Sequence, residues 1–415
     1  GITRSTHYAL FPTPWRRALA FSGDGVVSIA NLPEGDFYSA DGAIIVKRDT
    51  ATGRERWRRT YDRDSQETTW VKGIAALPGG DIVFNGANDM LTRLDGATGE
   101  TRWRRSRPDA FYQLDALVAD AAGDLFVLVH GPDKNYAVKF AGADGSERWR
   151  VELPVGGFYA TEKGQLRIAS NGDALVMSFG NDAQGQPHYY AARLRGGDGG
   201  QVWRTEFDAA LPGVQPFDAV VAGGNDLVVA GNRAERGWAA RLDGADGHVR
   251  WSIDHAGLQT VYRALVDAGG SIVLAGGYDR SPSGNGWRMA RLAAADGAVQ
   301  WFRELPLHPT EGGIYEVAQA PDGTLLFSGE GEGFEALCIA GLAQDDGTDR
   351  WWYSQSLPVY GLPDMLAQDM AFDARGNLIV NTYVRTNATP DDGATAAQLR
   401  IVGPWADDLF ANGFE

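Results

Sequence analysis

The sequence repeats one short pattern, a glycine followed four residues later by a tryptophan, seven times along its length. The seven pairs are Gly53/Trp57, Gly99/Trp103, Gly145/Trp149, Gly199/Trp203, Gly247/Trp251, Gly297/Trp301 and Gly347/Trp351. Successive glycines lie 46, 46, 54, 48, 50 and 50 residues apart. A period of this size is typical of repeat architectures in which each repeat is one supersecondary unit. The pattern therefore limits the possible folds more than any other feature.

Residues 71–107 show what one repeat contains. VKGIAAL, DIVFNGA and NDMLTRLD are short alternating or β-branched stretches, and TRWRRSR is a fourth stretch that carries the tryptophan. Such runs, separated by Gly-rich turns, predict four short strands that form an antiparallel meander. The motif glycine is expected at positive φ in a tight turn, and the tryptophan is expected to be buried against its own and neighbouring sheets.

The second-strand pattern occurs eight times, at residues 23–30, 79–86, 123–130, 172–179, 225–232, 270–277, 322–329 and 376–383. The eighth copy continues into residues 396–405 without a Gly-x-x-x-Trp pair. We interpret residues 6–11 (THYALF) as the missing outer strand of this unit, so that the N-terminal segment closes a ring. The prediction is an all-β propeller of eight four-stranded blades, with seven blades as the alternative. Residues 1–404 would form it as one domain.

Composition and charge argue against several classes of protein. The net charge is −16, and no Lys/Arg cluster is large enough to predict nucleic-acid binding. Cys338 is the single cysteine, so it forms no intramolecular disulfide, and its setting in ALCIAGL predicts a buried thiol. The sequence contains no apolar run of 18 residues, so it predicts no membrane span. The sequence begins at Gly1 without Met, which indicates a removed signal peptide and a periplasmic or secreted protein.

The segments DTATGRERW (49–57) and DGATGETRW (95–103) resemble the tryptophan-docking motif of the quinoprotein-type, or PQQ-like, β-propeller repeats. The five other copies keep the glycine and the tryptophan. The resemblance covers nearly the whole chain and implies that the seven motif tryptophans are structural docking residues. The family includes PQQ-dependent alcohol and sugar dehydrogenases, whose quinone lies over Ca²⁺ or a lanthanide. It also includes non-catalytic propellers that bind proteins, such as the outer-membrane assembly lipoprotein of Gram-negative bacteria.

The sequence departs from both groups. It has no pair of adjacent cysteines, no Cys-x-x-Cys-His haem-attachment motif and no N-terminal cysteine to acylate. No position matches a catalytic or metal-ligand motif of the family, so none is assigned. We expect no metal site and no cofactor, with PQQ plus calcium as the alternative, and enzymatic activity stays open.

In a propeller, ligands gather where the connections between blades meet at the mouth of the central channel. The connections after the motif tryptophans carry aromatic residues: Trp70, Phe111, Tyr112, Phe158, Tyr159, Phe217, Tyr262, Tyr315 and Tyr360. Polar residues follow them closely: Lys72, Asp115, Glu162, Asp218, Arg263, Glu316 and Asp369. These residues are candidates for a rim that binds a sugar, a quinone or a peptide side chain. The alternative is that the aromatic rings fill space between blades.

Four long segments are expected between second and third strands: residues 30–42, 180–190, 276–287 and 385–396. One of them contains His188, Tyr189 and Tyr190, which are candidates for acid–base catalysis of the kind that propeller polysaccharide lyases use. The Asp-rich segment 243–247 is interpreted as a hairpin turn and not as a calcium loop. Residues 405–415 (WADDLFANGFE) form an acidic, aromatic tail that is either a plain chain end or a sorting segment.

The leading hypothesis is an exported bacterial propeller that acts as a binding scaffold. Its ligand would be a peptide, a protein or a glycan at the channel mouth, and the protein would be a monomer. A PQQ- and calcium-dependent dehydrogenase is the first alternative, and a polysaccharide lyase is the second.

Overall fold

The chain forms an all-β propeller. A computed structural model describes residues 19–23, 25–33, 40–62, 73–85, 91–106, 113–130, 134–153, 164–181, 187–277, 286–306, 314–331, 336–356, 365–374, 376–384 and 395–401. These residues form seven sheets of four strands and one sheet of three strands. Within each sheet, strands that are consecutive in the chain are antiparallel neighbours.

Each sheet is one blade, and its strands are numbered from the innermost outwards. Blades 1 and 2 contain β1 (Leu19–Ser22), β2 (Gly25–Pro33), β3 (Ala40–Asp49), β4 (Glu55–Asp62), β5 (Gly73–Ala76), β6 (Ile82–Asn85), β7 (Leu91–Leu94) and β8 (Thr101–Arg105). Blades 3 and 4 contain β9 (Gln113–Ala119), β10 (Leu125–His130), β11 (Asn135–Phe140), β12 (Glu147–Leu153), β13 (Gln165–Ile168), β14 (Ala174–Asn181), β15 (Pro187–Leu194) and β16 (Gln201–Glu206), followed by the short helix α1 (Phe207–Ala210).

Blades 5 and 6 contain β17 (Val214–Val221), β18 (Leu227–Arg233), β19 (Arg236–Leu242), β20 (Val249–His255), β21 (Thr260–Val266), β22 (Ile272–Gly277), β23 (Gly286–Leu292) and β24 (Val299–Pro306), with a 3₁₀ turn over Gly223–Asn225. Blades 7 and 8 contain β25 (Ile314–Gln319), β26 (Leu325–Gly331), β27 (Ala336–Leu342), β28 (Asp349–Ser356), β29 (Met365–Phe372), β30 (Leu378–Val384) and β31 (Thr395–Ile401).

The eight predicted second strands coincide with β2, β6, β10, β14, β18, β22, β26 and β30, so the eight-bladed prediction is confirmed and the seven-bladed alternative is wrong. Blade 8 closes the ring against blade 1, where Ile379 packs with Val26 and Phe21. The three strands described for blade 8 leave its outermost strand unassigned. Residues 6–11, which we expect to supply that strand, lie outside the described residues.

The antiparallel order divides the connections between two faces of the ring. The turns between first and second strands and between third and fourth strands lie on one face, the turn face. The connections between second and third strands and from one blade to the next lie on the other, the connection face. All four predicted long segments are partly strand, because their ends belong to paired strands, as in the pairs Asn181–Pro187 and Leu32–Gly42.

Most motif tryptophans contact the following blade. Six of them donate their indole Nε1–H to a backbone carbonyl in the third-to-fourth-strand turn of the following blade: Trp57, Trp103, Trp149, Trp203, Trp251 and Trp301. The distances between indole nitrogen and carbonyl oxygen are 2.9–3.2 Å. A buried indole is stabilised when its polar edge is bonded in this way. The repeat therefore carries an inter-blade contact as well as a turn.

The burial of the seven indole rings is not uniform, which corrects the prediction that every motif tryptophan is buried. Five rings are at most 9% exposed: those of Trp57, Trp149, Trp203, Trp251 and Trp301. Trp103 and Trp351 are only partly buried, and they pack against the clusters between blades 2 and 3 and between blades 7 and 8. All seven lie on outermost strands, at the perimeter of the ring, where an edge of a large side chain can reach solvent.

Trp351 differs from the other motif tryptophans in the blade that follows it. The third-to-fourth-strand turn of blade 8 would come after β31 and lies outside the described residues. The Trp351 ring is therefore described only through its packing against the cluster between blades 7 and 8. The role of all seven tryptophans as structural docking residues stays a prediction, which the six inter-blade hydrogen bonds favour.

The motif glycines serve two purposes. All seven have φ between 69° and 77°, as predicted for a tight turn. Six of them also lie against the indole of the preceding blade, so that a Cβ on Gly99 would lie 2.7 Å from the Trp57 ring. A Cβ on Gly53 would meet nothing within 4 Å, and blade 8, which precedes it around the ring, carries no motif tryptophan. Any other residue at this position is therefore disfavoured by the positive φ in all seven blades, and by contact with the neighbouring indole ring in six of them.

The core lies between neighbouring blades, in clusters that each combine side chains from two sheets. Cys338 is 2% exposed within one of these clusters, which confirms the prediction of a buried thiol. None of the described helices is long and apolar enough to cross a membrane.

Candidate functional site: the inner strands of the channel

Five innermost strands carry a β-bulge at a similar height in the channel. The register of β9, β17, β21, β25 and β29 shifts by one residue against the second strand of the same blade. The extra residues in three of these strands are Phe217, Tyr262 and Tyr315, which were candidates for the rim. A bulge places two side chains opposite one partner residue and turns them away from strict alternation. It thus sets where the aromatic residue and the following charged residue point.

The three aromatic side chains are buried. Phe217, Tyr262 and Tyr315 are 8%, 7% and 5% exposed, and the rings of Phe217 and Tyr262 meet edge to face at 6.1 Å. This placement agrees with the alternative in which such rings fill the space between blades. Contact of these rings with a ligand stays a prediction.

Charged residues form a network across the inner strands. Four of them follow the bulges, whereas Arg167 lies on β13, whose pairing with β14 has no register shift. The guanidinium of Arg167, on β13, donates to a carboxylate oxygen of Asp218, on β17, at 3.1 Å. Asp218 is 4% exposed and also accepts backbone N–H groups from Ala219 at 2.9 Å and from Ala264 at 3.0 Å. A second N–H of Arg167 reaches the carbonyl of Leu166 at 3.1 Å. Asp218 thus ties blades 4, 5 and 6 together.

The network continues through blades 6 to 8. Arg263, on β21, contacts a carboxylate oxygen of Glu316, on β25, at 3.1 and 3.2 Å through two guanidinium nitrogens. The side chains of Arg263 and Glu316 are only 14% and 16% exposed, and Asp369 interacts electrostatically with both. We call Arg167, Asp218, Arg263, Glu316 and Asp369 the inner-strand charge network. It contains three carboxylates and two guanidinium groups.

Burial and this excess of carboxylates shift the pKa values of the central pair. Burial raises the pKa of Glu316 to about 7, Arg263 opposes the rise, and the neighbouring Asp369 adds to it. Burial alone would lower the pKa of Arg263, but the charges of Glu316 and Asp218 raise it instead. Arg263 therefore stays charged at all ordinary pH values, whereas Glu316 changes its charge near neutral pH.

Several candidate residues lie outside the described part of the chain. These are Trp70, Lys72, Phe111, Tyr112, Phe158, Tyr159, Glu162 and Tyr360, together with the tail 405–415. For Asp115, the backbone is described as part of the bulge in β9. Their proposed part in binding stays a prediction.

His188 lies on the connection face, in strand β15 and not in a loop, because its backbone pairs with Gly180. Its ring nitrogens contact the carboxylates of Glu206, at 2.7 Å, and Asp208. Burial alone would lower the pKa of His188, but the hydrogen bond with Glu206 and the charge of Asp208 raise it.

The two tyrosines beside His188 do not share its position. Tyr189 packs into the cluster between blades 4 and 5, where its ring stacks on Phe179 at 5.2 Å. Tyr190 is completely buried between blades 3 and 4, and burial raises its phenol pKa well above the ordinary value. The structure thus separates the three candidates, and an acid–base role for His188 stays a prediction.

Sequence reasoning missed two kinds of residue. Arg167 and Gln165 were not candidates, although Gln165 donates to the carbonyl of Phe217 in the next blade at 3.1 Å. The arginines near the end of third strands were also missed. Arg241 binds Asp226 at 2.7 Å and the Ala294 carbonyl of the next blade at 2.7 Å, and Arg93, Arg193 and Arg291 hold equivalent aspartates. The recurrence of Arg-Leu at the ends of these strands was the available signal.

The described residues do not fit the PQQ and calcium of the dehydrogenases. Calcium takes about six to eight oxygen ligands, but Asp218 and Glu316 are engaged by arginines and backbone N–H groups. Among the described residues, Asp243, Asp246 and His248 are the three potential metal ligands whose ligand atoms lie within 4.8 Å of one another. Asp243 and Asp246 belong to the predicted hairpin turn 243–247 on the turn face, and His248 follows it. Asp243 accepts the Ala245 N–H at 2.7 Å.

Comparison with known proteins extends these observations. The family model described as the outer membrane protein assembly factor BamB matches residues 13–180 and 189–374. The chain matches none of the curated protein sequences compared with it.

Three solved structures share the fold at low sequence identity. BamB from Moraxella catarrhalis has a TM-score of 0.52 at 13% identity, with 93% of this chain and 94% of that chain covered. The quinohemoprotein alcohol dehydrogenase from Comamonas testosteroni has a TM-score of 0.58 at 12% identity, with 89% and 71% covered. Sqt1 from Chaetomium thermophilum, bound to the N-terminus of the ribosomal protein L10, has a TM-score of 0.62 at 11% identity, with 92% and 96% covered.

Proposed function

We propose a binding function for this chain, which belongs to the PQQ-like β-propeller family of the outer membrane protein assembly factor BamB. The proposed ligand is a segment of a partner protein or peptide, held at the connection face by a protein that works outside the cytoplasm. The proposal rests on the inner-strand charge network, whose charged side chains are paired with one another across blades. Arg167 with Asp218 and Arg263 with Glu316 connect the inner strands, as expected for a rigid scaffold.

Two further observations support binding over catalysis. The structure of the similar propeller Sqt1 holds the N-terminus of a ribosomal protein. The described part of the connection face also offers exposed charge, since the side chain of Asp208 is 52% exposed beside His188. Exposed charges at the rim of an interface set the association rate and the choice of partner.

The test is a selection of binding peptides from a random display library on the purified protein, followed by calorimetric titration. Asp208→Arg changes the connection face, and Asp198→Arg is a matched control on the turn face of the same blade, where the Asp198 side chain is 64% exposed. We expect Asp208→Arg to weaken a selected peptide at least about tenfold and Asp198→Arg to leave it unchanged. Equal effects of both variants, or no saturable peptide, would contradict the proposal.

The dehydrogenase alternative is tested in parallel by titration with PQQ and calcium. Saturable one-to-one binding followed by the quinone absorbance would favour an oxidoreductase over a scaffold. The lyase alternative requires that a His188→Ala variant lose cleavage of a uronate polymer that the native protein cleaves.

A further inference from the structure

The channel contains a cavity at the end that lies on the turn face, opposite the connection face. Its volume is about 410 Å³, within the range of small-molecule sites. It is lined by the last residues of the inner strands of blades 3 to 6: Val118, Ala119, Arg167, Ile168, Val220, Val221, Leu265 and Val266. In β9, β17 and β21 these residues lie beyond the bulge, and in all four strands they are next to the turn between first and second strands. The cavity is therefore separate from the connection face.

The lining combines an apolar wall with one cation. All lining residues except Arg167 are aliphatic. Of these, Ile168, Val221, Leu265 and Val266 pack against clusters between blades but remain only partly buried. Apolar surface that folding has left accessible is stabilised when a ligand covers it. This aliphatic wall would therefore contact the apolar part of a ligand.

Arg167 supplies the polar contact. Its side chain is 28% exposed, whereas that of its partner Asp218 is 6% exposed. The carboxylate of Asp218 is also stabilised by two backbone N–H groups, from Ala219 and Ala264, so Arg167 is not the sole compensation of its charge. The contacts to Asp218 and to the Leu166 carbonyl hold the guanidinium in place at the cavity wall. A guanidinium that is fixed in this way favours a carboxylate.

We propose that this cavity binds a small monocarboxylate with an apolar body. The carboxylate would contact Arg167, and the body would lie against Ile168, Val221 and Leu265. A sugar or a phosphate ester would leave several polar groups without partners on the aliphatic wall, which costs free energy. Two kinds of ligand combine a carboxylate with an apolar body in this way: a free fatty acid of medium length and the C-terminal residue of an apolar peptide.

The test is calorimetric titration of the full chain with octanoate, and in a second arm with the peptide acetyl-Ala-Leu-Phe carrying a free carboxylate. Octan-1-ol reports binding without the carboxylate, and butanoate reports binding without most of the body. We expect saturable octanoate binding, about tenfold or more weaker octan-1-ol binding, and about hundredfold weaker butanoate binding. Binding of the peptide in place of octanoate would assign the carboxylate to a peptide end, and binding of neither would overturn the proposal.

Two variants assign any binding to this cavity. Arg167→Gln removes the guanidinium charge, and Ile168→Glu places a carboxylate in the wall while keeping Arg167 and Asp218. Each is expected to weaken octanoate at least about tenfold. Val202→Glu is the matched control, since Val202 is 42% exposed on the outer strand of the same blade. Octanoate binding that survives Ile168→Glu, or that falls equally in Val202→Glu, would refute the site. The result is independent of peptide binding at the connection face.

Discussion

Replacing Glu316 by glutamine should make the protein more stable at alkaline pH than the native chain. Glu316 lies among Arg263, Asp218 and Asp369, and burial raises its pKa from 4.5 to about 7. Between pH 4.5 and 7, the unfolded chain releases the proton of Glu316 and the folded chain keeps it. Stability therefore falls by about 1.4 kcal/mol for each pH unit over this interval, a total of about 3 kcal/mol. Above pH 7 the loss is complete and constant.

Glutamine mimics the protonated acid, so the Glu316→Gln variant lacks this loss. The free energies of unfolding of the two proteins should agree within about 1 kcal/mol at pH 4.5 and differ by about 3 kcal/mol at pH 8, with the variant the more stable. All other groups are the same in both proteins, so the difference reports Glu316 and its coupling to its charged neighbours. The expected sign is unusual, because removing one member of an ion pair normally destabilises a protein.

The assay is urea unfolding followed by tryptophan fluorescence, at half-unit steps from pH 4.5 to 8. Glu304→Gln is the control, because Glu304 pairs with Arg288 in the same blade as Arg263 but its side chain is 46% exposed. A difference between native protein and Glu316→Gln that does not change with pH would refute the reasoning. It would mean that Arg263 compensates Glu316 fully and that burial does not control the carboxyl group.

Two further perturbations test the repeat and the connection face. Gly99→Ala should cost about 1–3 kcal/mol more than Gly53→Ala in urea unfolding, because both glycines have nearly equal positive φ but only Gly99 lies against an indole; equal costs would show that the Trp57 contact is not limiting. His188→Gln should lower stability by about 1 kcal/mol at pH 5.5 and by nothing at pH 9. The raised pKa of His188 means that its contribution is present below pH 6.5 and is lost as the folded imidazolium deprotonates, so a pH-independent difference would contradict the pairing with Glu206 and Asp208.

The fold was predictable from the sequence because its determinants are local and repeated. The Gly-x-x-x-Trp pairs specify a turn and a bulky ring at a fixed distance, and the second strands recur without interruption. The bulges that carry Phe217 and Tyr262 were not visible, since a bulge differs from regular alternation by a single residue. Placing His188 in a loop failed for a related reason. The pairing that extends β14 and β15 depends on cross-strand contacts and not on the composition of the segment.

The partners within the channel were beyond prediction for another reason. Arg167 and Asp218 are 51 residues apart, and Arg167 is the penultimate residue of its strand, whereas Asp218 lies three residues before the end of its own. Periodicity aligns equivalent positions, so it does not indicate that non-equivalent positions meet. Such a pair follows from how neighbouring blades are inclined and packed, which one repeat does not encode.

The charged residues of the inner strands are concentrated on one side of the channel. Three residues before the end of the inner strand, blades 5 to 8 carry Asp218, Arg263, Glu316 and Asp369, whereas blades 1 to 3 carry Leu19, Gly73 and Ala116. The turn glycines and motif tryptophans are fixed by contacts that recur from blade to blade. This inner position takes part in neither contact, so it is free to differ between blades without loss of the ring. Charges that accumulate there must compensate one another across blades, because burial penalises any that remain unpaired. A propeller of this kind can therefore diversify its channel one blade at a time, provided that each new charge arrives beside a partner such as Arg167 or Arg263.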